Sequence, residues 1–253
     1  MDVMNTRRKD IVSFVNQKGS VSFQELKEQF PSVSDMTLRT DLKYLDQNRL
    51  LIRIHGGAKS LDTISGNDDY LSRRFIKNTS EKKEIAKKAI TLALENKTIF
   101  IDSGSTTTYF SQLFPDQKNI IYTSGLTCAI ELSKLSKPKV CITGGMINSN
   151  SLSVNGFIGI DYLKNVNFDI AFMGVTRFSP RTGFTCESSE DADLKRAVIG
   201  KAEKVVVFMD SSKININGTY TICDLKDIDV LVSDSKLPED FLEECKTQGV
   251  MVL

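Results

Sequence analysis

The fold of the first part of the chain is decided by Val33-Ser34-Asp35-Met36-Thr37-Leu38-Arg39-Thr40-Asp41-Leu42-Lys43-Tyr44-Leu45. Ser34 is a favourable N-cap, and the pattern after it predicts a helix from Asp35 to about Gln47. Three leucines share the inner face of this helix, namely Leu38, Leu42 and Leu45. Because they pack inward, the polar side chains between them face outward: Thr37, Arg39, Thr40 and Lys43. The segment predicts an amphipathic helix with a polar, basic outer face.

Two further helical patterns precede this segment. The first repeats apolar residues at helical spacing and ends at Gly19, and the second begins at the capping box Ser22-Phe23-Gln24-Glu25. Pro31 breaks the second helix a few residues before Ser34. Two helices joined by a short break are typical of a helix-turn-helix, which places its second helix in the major groove of DNA.

The outer face of the helix over residues 35–47 carries groups that can read DNA. Arg39 can pair with guanine through two hydrogen bonds, and Thr37 and Thr40 can contact a phosphate or a thymine methyl group. Lys43 is better suited to a phosphate contact. The alternative for each of these residues is a solvated helix face without any nucleic-acid contact.

A strand pair follows this helix. Ile52 and Ile54 alternate with Arg53 and His55, which is the pattern of a strand, and Gly56-Gly57 predicts a turn. Such a hairpin would form a wing whose Arg53 and His55 side chains face the DNA backbone. For His55, a structural or surface role is the alternative.

Charge is unevenly distributed along the chain. Residues 1–90 carry 17 Lys and Arg against 12 Asp and Glu, a net of +5, whereas the remainder carries 16 against 20, a net of −4. A basic front on a neutral or acidic body is compatible with nucleic-acid binding. Of the 253 residues 40% are hydrophobic, which is enough to bury a core, so wholesale disorder is not expected.

Several classes of protein do not fit this composition. No run reaches the roughly 18 apolar residues of a membrane span, and the first residues lack the apolar stretch of a secretory signal. The five Cys form no C-x-x-C pair, which speaks against a disulfide framework or zinc site and favours reduced thiols in a cytoplasm. The single histidine, His55, excludes a His-cluster metal site. We therefore expect no metal and no cofactor.

The second part of the chain alternates short apolar runs with helix-length segments. The runs predict strands over residues 98–101, 120–123, 140–143, 170–173, 205–209 and 230–232, with helices over 85–94, 106–113, 126–135 and 192–202. The strand runs are β-branched and barely alternate, which indicates strands covered on both faces. This rhythm of βαβ units predicts an α/β domain with a mostly parallel sheet.

Small and polar residues follow most of these strands. They are Asp102-Ser103-Gly104-Ser105-Thr106-Thr107, Ser124-Gly125, Gly144-Gly145, Gly174-Val175-Thr176 and Asp210-Ser211-Ser212-Lys213. Open α/β sheets bind ligands outside the carboxyl ends of their strands, where glycines let a ligand approach the backbone. One such turn is a common connection, but five along one sheet indicate a binding crevice.

The turn after the first of these strands is the most specific. Ser103-Gly104-Ser105-Thr106-Thr107 before a helix forms an anion cradle of N–H groups and hydroxyls. It lacks the Lys of a Walker A loop, and the chain has no Gly-x-Gly-x-x-Gly. A phosphate monoester needs a cation, for which Lys213 is the first candidate, with Lys195 and Arg196 behind it. Asp102 suits sugar hydroxyls better than phosphate, which favours a phosphorylated sugar.

Residues 33–45, followed by His55-Gly56-Gly57-Ala58, closely resemble the signature of the DeoR family of bacterial transcription regulators. Thr40 departs from the family pattern, which usually has a basic residue there. The resemblance continues through residues 99–107, the Gly144-Gly145 pair, residues 190–196 and residues 210–213, which look like the DeoR sensor domain. That domain is similar in fold to ribose-5-phosphate isomerase, whose Gly-Ser-Thr loop binds the substrate phosphate.

The resemblance implies a winged helix-turn-helix DNA-binding domain over residues 1–58, a linker over 59–78 and an α/β sugar-phosphate sensor domain over 79–253. The implied DNA contacts are Ser34, Met36, Thr37, Arg39, Thr40, Lys43, Arg53 and His55. The implied effector contacts are Asp102, Ser103, Gly104, Ser105, Thr106, Thr107, Gly144, Gly145, Glu190 and Lys213. For Glu190, a stabilising charge at the start of a helix is the alternative.

These features together predict a cytoplasmic DNA-binding repressor of a sugar-utilisation operon that is released by a phosphorylated sugar. Its partners would be double-stranded operator DNA, the sugar phosphate and further copies of the chain in a dimer or tetramer, because two heads read a palindrome. A phosphosugar isomerase with an appended domain is one alternative, in which proton transfer would fall to Asp102, Asp210, Glu190 and Lys213. An activator with the same architecture is the other.

Overall fold

The computed structural model describes residues 3–48, 50–60 and 70–253. The chain divides into two compact units, residues 1–68 and residues 69–253. The division lies inside the predicted linker over residues 59–78, which also contains a short helix, Leu71–Ile76. Residues 61–69 of that linker lie outside the described residues.

The described part of the first unit combines helices with a small antiparallel sheet. In chain order its elements are α1 (Val3–Lys18), β1 (Ser20–Ser22), α2 (Phe23–Gln29), α3 (Asp35–Gln47), β2 (Ile52–Ile54) and β3 (Gly57–Lys59). The strand order is β1-β3-β2, so β1 joins the predicted hairpin as a third strand. The unit is the predicted winged helix-turn-helix, with α3 as its second motif helix.

Side chains cap the helices of the first unit. The Ser22 hydroxyl accepts from the Glu25 N–H at 3.2 Å and the Glu25 carboxylate accepts from the Ser22 N–H at 2.8 Å, which completes the predicted capping box. The Ser34 hydroxyl accepts from the Thr37 N–H at 3.2 Å and starts α3. The inner face of α3 is buried in the core of the unit, as predicted, by Leu38, Leu42 and Leu45.

The second unit is built on a seven-stranded parallel sheet. Its strands are β4 (Thr98–Ile101), β5 (Ile120–Thr123), β6 (Lys139–Ile142), β9 (Ile170–Gly174), β12 (Val205–Phe208), β14 (Val230–Val232) and β15 (Met251–Val252). Their order is β15-β14-β12-β9-β4-β5-β6, with parallel pairing throughout. The six predicted strands are present with ends shifted by at most one residue, and β15 was not predicted.

Helices and two small antiparallel groups surround this sheet. The helices are α4 (Leu71–Ile76), α5 (Thr79–Ala89), α6 (Ser105–Leu113), α7 (Leu126–Leu132), α8 (Phe157–Leu163), α9 (Ser189–Ile199) and α10 (Glu239–Thr247). The antiparallel groups are the hairpin of β7 (Met146–Asn148) and β8 (Ser153–Asn155), and the sheet of β10 (Arg177–Ser179), β11 (Gly183–Cys186) and β13 (Tyr220–Cys223). In the described parts of the chain, no helix is long and apolar enough to cross a membrane.

The central strands of the parallel sheet are buried on both faces. In β9, Ile170 and Phe172 belong to one apolar core, whereas Ala171 and Met173 belong to the other. Successive side chains of a strand point to opposite faces, so a strand between two cores needs apolar residues at every position. This explains why the predicted strand runs barely alternate.

The five cysteines are free thiols, and four of them are buried: Cys128, Cys186, Cys223 and Cys245. Burial raises the pKa of these four thiols, to about 11 for Cys186 and Cys245 and to about 12 for Cys223. Cys141 in β6 is half-buried. Because the thiolate is the reactive form, the four buried thiols have low intrinsic reactivity.

Candidate functional site

The outer face of α3 presents the side chains that the leucine spacing predicts to lie outside. Arg39, Thr40 and Lys43 are exposed, Met36 is 76% exposed and Thr37 is half-buried. Apart from the half-buried Thr37, the residues predicted to meet the major groove are thus ones that the core of the unit leaves at the surface. Their contact with DNA stays a prediction.

The Arg39 side chain is held against the neighbouring helix. Its guanidinium carbon lies 4.4 Å from the centroid of the Phe23 ring, and Phe23 is the first residue of α2. A guanidinium that stacks on a ring keeps the N–H groups at its edge available for hydrogen bonds. The stacking therefore limits the rotamers of Arg39 without consuming its donors.

The hydroxyls near the start of α3 already have partners within the helix. Ser34 Oγ lies 2.8 Å from Thr37 Oγ1 and accepts from the Thr37 N–H. Thr40 Oγ1 donates to the Met36 carbonyl at 2.9 Å. A threonine that has used its donor in this way still exposes its methyl group. Thr40 is consequently better suited to a thymine methyl group than to a phosphate.

The predicted wing is a tight hairpin. Ile54 pairs with Gly57, which leaves His55 and Gly56 in the turn, and Gly56 has a φ of 79°. Arg53 and His55 are exposed, as a wing contact requires. The Arg53 N–H donates to Asp46 Oδ1 at 2.9 Å, so the wing is anchored to the last turn of α3.

Asp41 is a buried charge that sequence analysis missed. Its side chain is 2% exposed, and its two oxygens accept from Arg7 Nε and Arg8 Nε, each at 2.7 Å. The Arg8 guanidinium also lies 3.7 Å from the centroid of the Tyr44 ring. These contacts tie α1 to α3. The available signal was the position of Asp41 in the same inner stripe as the leucines of α3.

The second candidate region lies where the strand order of the parallel sheet reverses. From β4 the chain continues outward through β5 and β6, whereas β9, β12, β14 and β15 build the other half. Open α/β sheets bind ligands at such a point, outside the carboxyl ends of the strands. Asp102 follows β4, and its Oδ2 accepts from the N–H of Gly174, the last residue of β9, at 2.9 Å.

Gly104 shapes the loop after β4. Its φ of 143° favours glycine, and its carbonyl accepts from the hydroxyls of Thr107 at 3.0 Å and Thr108 at 2.6 Å. Gly104 has no side chain to cap α6, so the first N–H groups of α6 remain for another acceptor. The Thr107 hydroxyl serves the loop itself, so any ligand contact from Thr107 has to come from its backbone N–H. The other polar loop residues are also buried: Ser103, Ser105 and Thr106.

Lys195 is the cation that the fold brings to this loop. Its ammonium forms an ion pair with Asp102 Oδ2 and donates to the Gly174 carbonyl at 2.8 Å. Burial raises the pKa of Asp102, which the charge of Lys195 opposes. Burial alone would lower the pKa of Lys195, but the charge and hydrogen bond of Asp102, together with the nearby Cys186 and Asp191, outweigh it and the pKa is raised. As an ion pair, Asp102 and Lys195 add no net negative charge to the crevice.

Lys213 lies at the same edge of the sheet. It ends the 3₁₀ turn Ser211–Lys213 after β12, and its Nζ donates to the Val175 carbonyl at 2.7 Å. Lys195 and Lys213 thus contact the carbonyls of consecutive residues, Gly174 and Val175. Burial alone would raise the pKa of Asp210, 3.7 Å from Lys213 Nζ, but the charge of Lys213 and the hydrogen bonds from Ser212 and Asn78 together outweigh it, and the pKa is lowered.

The Gly144-Gly145 turn is packed closely against β8. A Cβ atom at Gly145 would lie 2.1 Å from the Asn155 carbonyl oxygen, and the φ of Gly145 is 138°. Only glycine fits this position, because both the space and the backbone conformation exclude a side chain. The turn brings the Asn155 side chain, which sequence analysis did not consider, to the carboxyl edge of the sheet.

Glu190 and Asp191 have different surroundings at the start of α9. Glu190 is exposed and accepts from the hydroxyls of Ser188 at 2.8 Å and Ser189 at 3.0 Å. Backbone and hydroxyl hydrogen bonds lower its pKa, which fits the helix-start role given as the alternative. Asp191 instead accepts from Ser153 Oγ at 3.1 Å and from Asn155 Nδ2. The structure thus brings Asp191, and not Glu190, into the network of the crevice.

Comparison with known protein families covers most of the chain. Residues 7–64 match the DeoR-like helix-turn-helix domain, and residues 77–235 match the DeoR C terminal sensor domain. The chain belongs to the DeoR family of transcriptional regulators. It is a regulator and not an enzyme, so the isomerase alternative is set aside.

Relatives match this DeoR-family regulator over nearly its whole length. The HTH-type transcriptional regulator GolR of Listeria innocua is 30% identical over 97% of the chain and 96% of the relative. A putative aga operon transcriptional repressor of Escherichia coli O157:H7 is 30% identical over 98% and 92%. The L-fucose operon activator of Haemophilus influenzae is 31% identical over 99% and 100%. Ribose 5-phosphate isomerase A of Methanocaldococcus jannaschii is similar over 53% of each chain, at 18% identity and a TM-score of 0.39.

The crevice of this DeoR-family regulator contains residues that sequence analysis did not select. They are Ser153, Asn155 and Asp191. A signal existed for α9, since Asp191 and Lys195 are spaced by four and share a face with the buried Val198. No comparable signal marked Asn155, whose position depends on the β7–β8 hairpin. Across the described residues, no group of three His, Cys, Asp or Glu could hold a metal ion.

Proposed function

We propose that this DeoR-family regulator represses a carbohydrate-utilisation operon and is released from its operator by a phosphorylated sugar. The observation that carries the proposal is the arrangement around Gly174 and Val175, where the loop over residues 102–107 and two lysine-bearing elements converge. We assign DNA reading to residues 1–58, a connecting role to 59–78 and effector sensing to 79–253.

On the DNA side, α3 enters the major groove of a double-stranded operator. Arg39 pairs with a guanine, and the methyl group of Thr40 meets a thymine. Lys43 and the wing residues Arg53 and His55 contact the phosphate backbone, which fixes the position of the unit on the duplex. The exposure of these side chains supports the assignment.

On the effector side, the first N–H groups of α6 and the hydroxyls of the loop cradle the phosphate. Lys213 supplies positive charge that a monoester phosphate requires. Lys213 is the better direct contact because its side chain is 22% exposed, whereas that of Lys195 is 6% exposed and paired with Asp102. Lys195 therefore acts mainly by balancing the charge of Asp102.

The effector releases DNA only if it binds one arrangement of the protein more tightly than another. A coupling free energy of about 1–3 kcal/mol would be ordinary for such a regulator. Recognition of a palindromic operator requires two DNA-reading units, so we propose that the chain works as a homo-oligomer in the cytoplasm, where the DNA lies.

The proposal is tested by a mobility-shift titration of the full-length protein on DNA from upstream of its own gene. We expect binding that is stronger than to random DNA of equal length and is weakened about ten-fold or more by at least one sugar phosphate. The panel should include glycerol 3-phosphate, ribose 5-phosphate and glucose 6-phosphate. Equal binding to random DNA, together with indifference to every sugar phosphate, would refute the proposal.

An activator is the second candidate, because the L-fucose operon activator is among the similar proteins. A repressor and an activator would use the same DNA and effector contacts. Reporter expression in a strain lacking the gene separates them: the target operon is expressed without inducer if the protein is a repressor and is silent with inducer if it is an activator.

A further inference from the structure

Two side-chain oxygens in the crevice have no hydrogen-bond partner among the described residues. They are Asp102 Oδ1 and Asn155 Oδ1. The residues that carry them are 1% and 5% exposed. A buried polar atom without a partner has lost its hydration and gained nothing in exchange, so each such atom in a folded protein calls for an explanation.

The two oxygens belong to one network that is organised by α9. Asp102 uses its other oxygen, Oδ2, to pair with Lys195, and Asn155 uses its Nδ2 to donate to Asp191. Asp191 and Lys195 are spaced by four residues in α9, which places them on one face about 5–6 Å apart. The side chains that carry the two unpartnered oxygens therefore contact the same face of α9, at positions one turn apart.

The Asn155 amide is fixed in orientation. Its Nδ2 donates to Ser153 Oγ at 2.8 Å as well as to Asp191. A rotation that exchanged nitrogen and oxygen would turn Oδ1 toward the Asp191 carboxylate, which cannot donate. The backbone of Asn155 is also held, because β8 pairs with β7 and Gly145 packs against the Asn155 carbonyl. The orientation of the Asn155 amide, with Oδ1 turned away from Asp191, is thus built into the fold.

The chemistry of the two oxygens defines what they can bind. An amide oxygen and a carboxylate oxygen are acceptors, so a phosphate, which is itself an acceptor, does not suit them. The charge of Asp102 is already balanced by Lys195, so no further cation is needed. Neutral O–H donors on neighbouring carbons of one molecule satisfy both oxygens without adding charge.

We propose that Asp102 Oδ1 and Asn155 Oδ1 form a hydroxyl-binding subsite, next to the anion-binding loop over residues 103–107, and that Asn155 determines which polyol or sugar is accepted. The inference rests on the proposed function, since it takes the crevice to be the effector site. It adds Asn155 as the partner of Asp102 in binding ligand hydroxyls and as the residue that selects among hydroxyl-bearing phosphates.

The test is calorimetric titration of the full chain with matched phosphates. The probes are inorganic phosphate, glycerol 3-phosphate, ribose 5-phosphate with its 2-deoxy analogue, and glucose 6-phosphate with its 2-deoxy analogue. For the unmodified protein we expect at least one hydroxyl-bearing phosphate to bind about ten-fold or more tightly than inorganic phosphate. In Asn155→Leu this preference should fall to within about three-fold, with the affinity for inorganic phosphate unchanged.

Two further variants keep the test decisive. Asn155→Ser replaces the amide by a smaller polar side chain. This variant should lose the preference for hydroxyl-bearing phosphates over inorganic phosphate even if Asn155→Leu does not fold. Asn119→Leu changes another buried asparagine, just before β5 at the opposite end of the strands, and should keep the preference.

Retention of the full preference in both Asn155 variants would overturn the inference. An equal loss of sugar phosphate and inorganic phosphate would also overturn it, because Asn155 would then support the whole crevice. If the unmodified protein binds no sugar phosphate at all, the proposed function itself fails. These results are distinguishable, since only the last one concerns the unmodified protein.

Discussion

At the scale of single residues, Arg39 combines exposure with restraint. Its stacking on Phe23 holds the guanidinium at the outer face of α3, while the N–H groups at the edge of the guanidinium remain available for hydrogen bonds. Ordering a long side chain before binding reduces the conformational entropy that binding has to overcome. Arg39 is consequently the residue of this face from which we expect the largest single contribution to operator recognition.

We expect Arg39→Ala to weaken operator binding by a factor of about 10–100, because a bidentate arginine–guanine pair contributes about 1–3 kcal/mol of discrimination. Arg39→Lys retains the charge but not the planar guanidinium that forms two parallel hydrogen bonds. It should therefore lose sequence preference more than overall affinity. Fluorescence anisotropy with operator and random duplexes measures both. Effector binding should be unaffected in both variants, and its loss in Arg39→Ala would indicate misfolding instead.

Charges inside the protein are the residues that the sequence predicted least well. The leucines of α3 could be assigned to the core from spacing alone, and so could the caps Ser22 and Ser34. Asp41 and Lys195 could not be assigned to the core in this way. A charged side chain is buried only together with a partner, and the local sequence does not identify that partner. Those partners lie 34 and 93 residues away in the chain, beyond the reach of local periodicity.

Asp41→Asn should destabilise the first unit by about 1–3 kcal/mol, since Arg7 and Arg8 would then face each other without a carboxylate. Hydrogen exchange of the α3 amides measures the change. Asp35→Asn is the matched control on the same helix, where the carboxylate is 61% exposed and pairs with Lys27. Its effect should be clearly smaller than that of Asp41→Asn, because an exposed ion pair adds little to stability. Equal effects of the two substitutions would contradict the role given to Asp41.

At the scale of elements, the regular patterns were predictable and the short irregular ones were not. Helix α3 follows from its periodicity and the six predicted strands from their continuous apolar runs, whereas β1 and β15 have only three and two residues and neither signal. Helix α5 spans Thr79–Ala89, and the part of its predicted pattern beyond Ala89 continues only as the 3₁₀ turn Ile90–Leu92. Strands as short as β1 and β15 are set by tertiary contacts and not by local sequence.

The capping box of α2 predicts a dependence of stability on pH. A backbone hydrogen bond from Ser22, with the side chain of Lys18, lowers the pKa of Glu25 to about 2. A carboxyl group with a lowered folded-state pKa stabilises the protein above its ordinary pKa and loses this effect as the pH falls through the folded value. Glu25→Gln should therefore be less stable than the unmodified protein at pH 7 and equal to it near pH 2.

Thermal unfolding of the two proteins at several pH values checks this expectation. The amide oxygen introduced by Glu25→Gln would still accept from the Ser22 N–H, so the comparison isolates the charge. A difference in melting temperature that persisted unchanged to pH 2 would show that the charge of Glu25 is not its source.

At the scale of the whole molecule, one side chain joins the connecting segment over residues 59–78 to the turn over residues 210–213, which carries Lys213. Asn78, between α4 and α5, has a φ of 50°, and its Nδ2 donates to Asp210 Oδ1 at 3.0 Å and to Ser212 Oγ at 2.8 Å. Asp210 and Ser212 belong to the turn that ends in Lys213. A ligand that shifts this turn would act on Asn78, and through it on the segment that leads back along the chain toward the first unit.

We expect Asn78→Gly to uncouple the two functions. Glycine adopts a positive φ without strain, so the backbone is retained while both hydrogen bonds are lost. Operator affinity without effector should be unchanged, and its reduction by the sugar phosphate should fall toward one-fold, in mobility-shift titrations. Asn96→Gly is the control, since Asn96 has a φ of 60°, is exposed and lies away from this turn. A normal response of Asn78→Gly would exclude Asn78 from the coupling.

The distribution of thiols has a practical consequence. With four sulfurs inside the protein, a maleimide dye added under native conditions should attach at Cys141 alone. Cys141 lies on the edge strand β6, three residues before Gly144, so the dye would sit next to the crevice. The natural chain thus already offers a single labelling point from which the arrival of an inducer could be followed by its change in fluorescence.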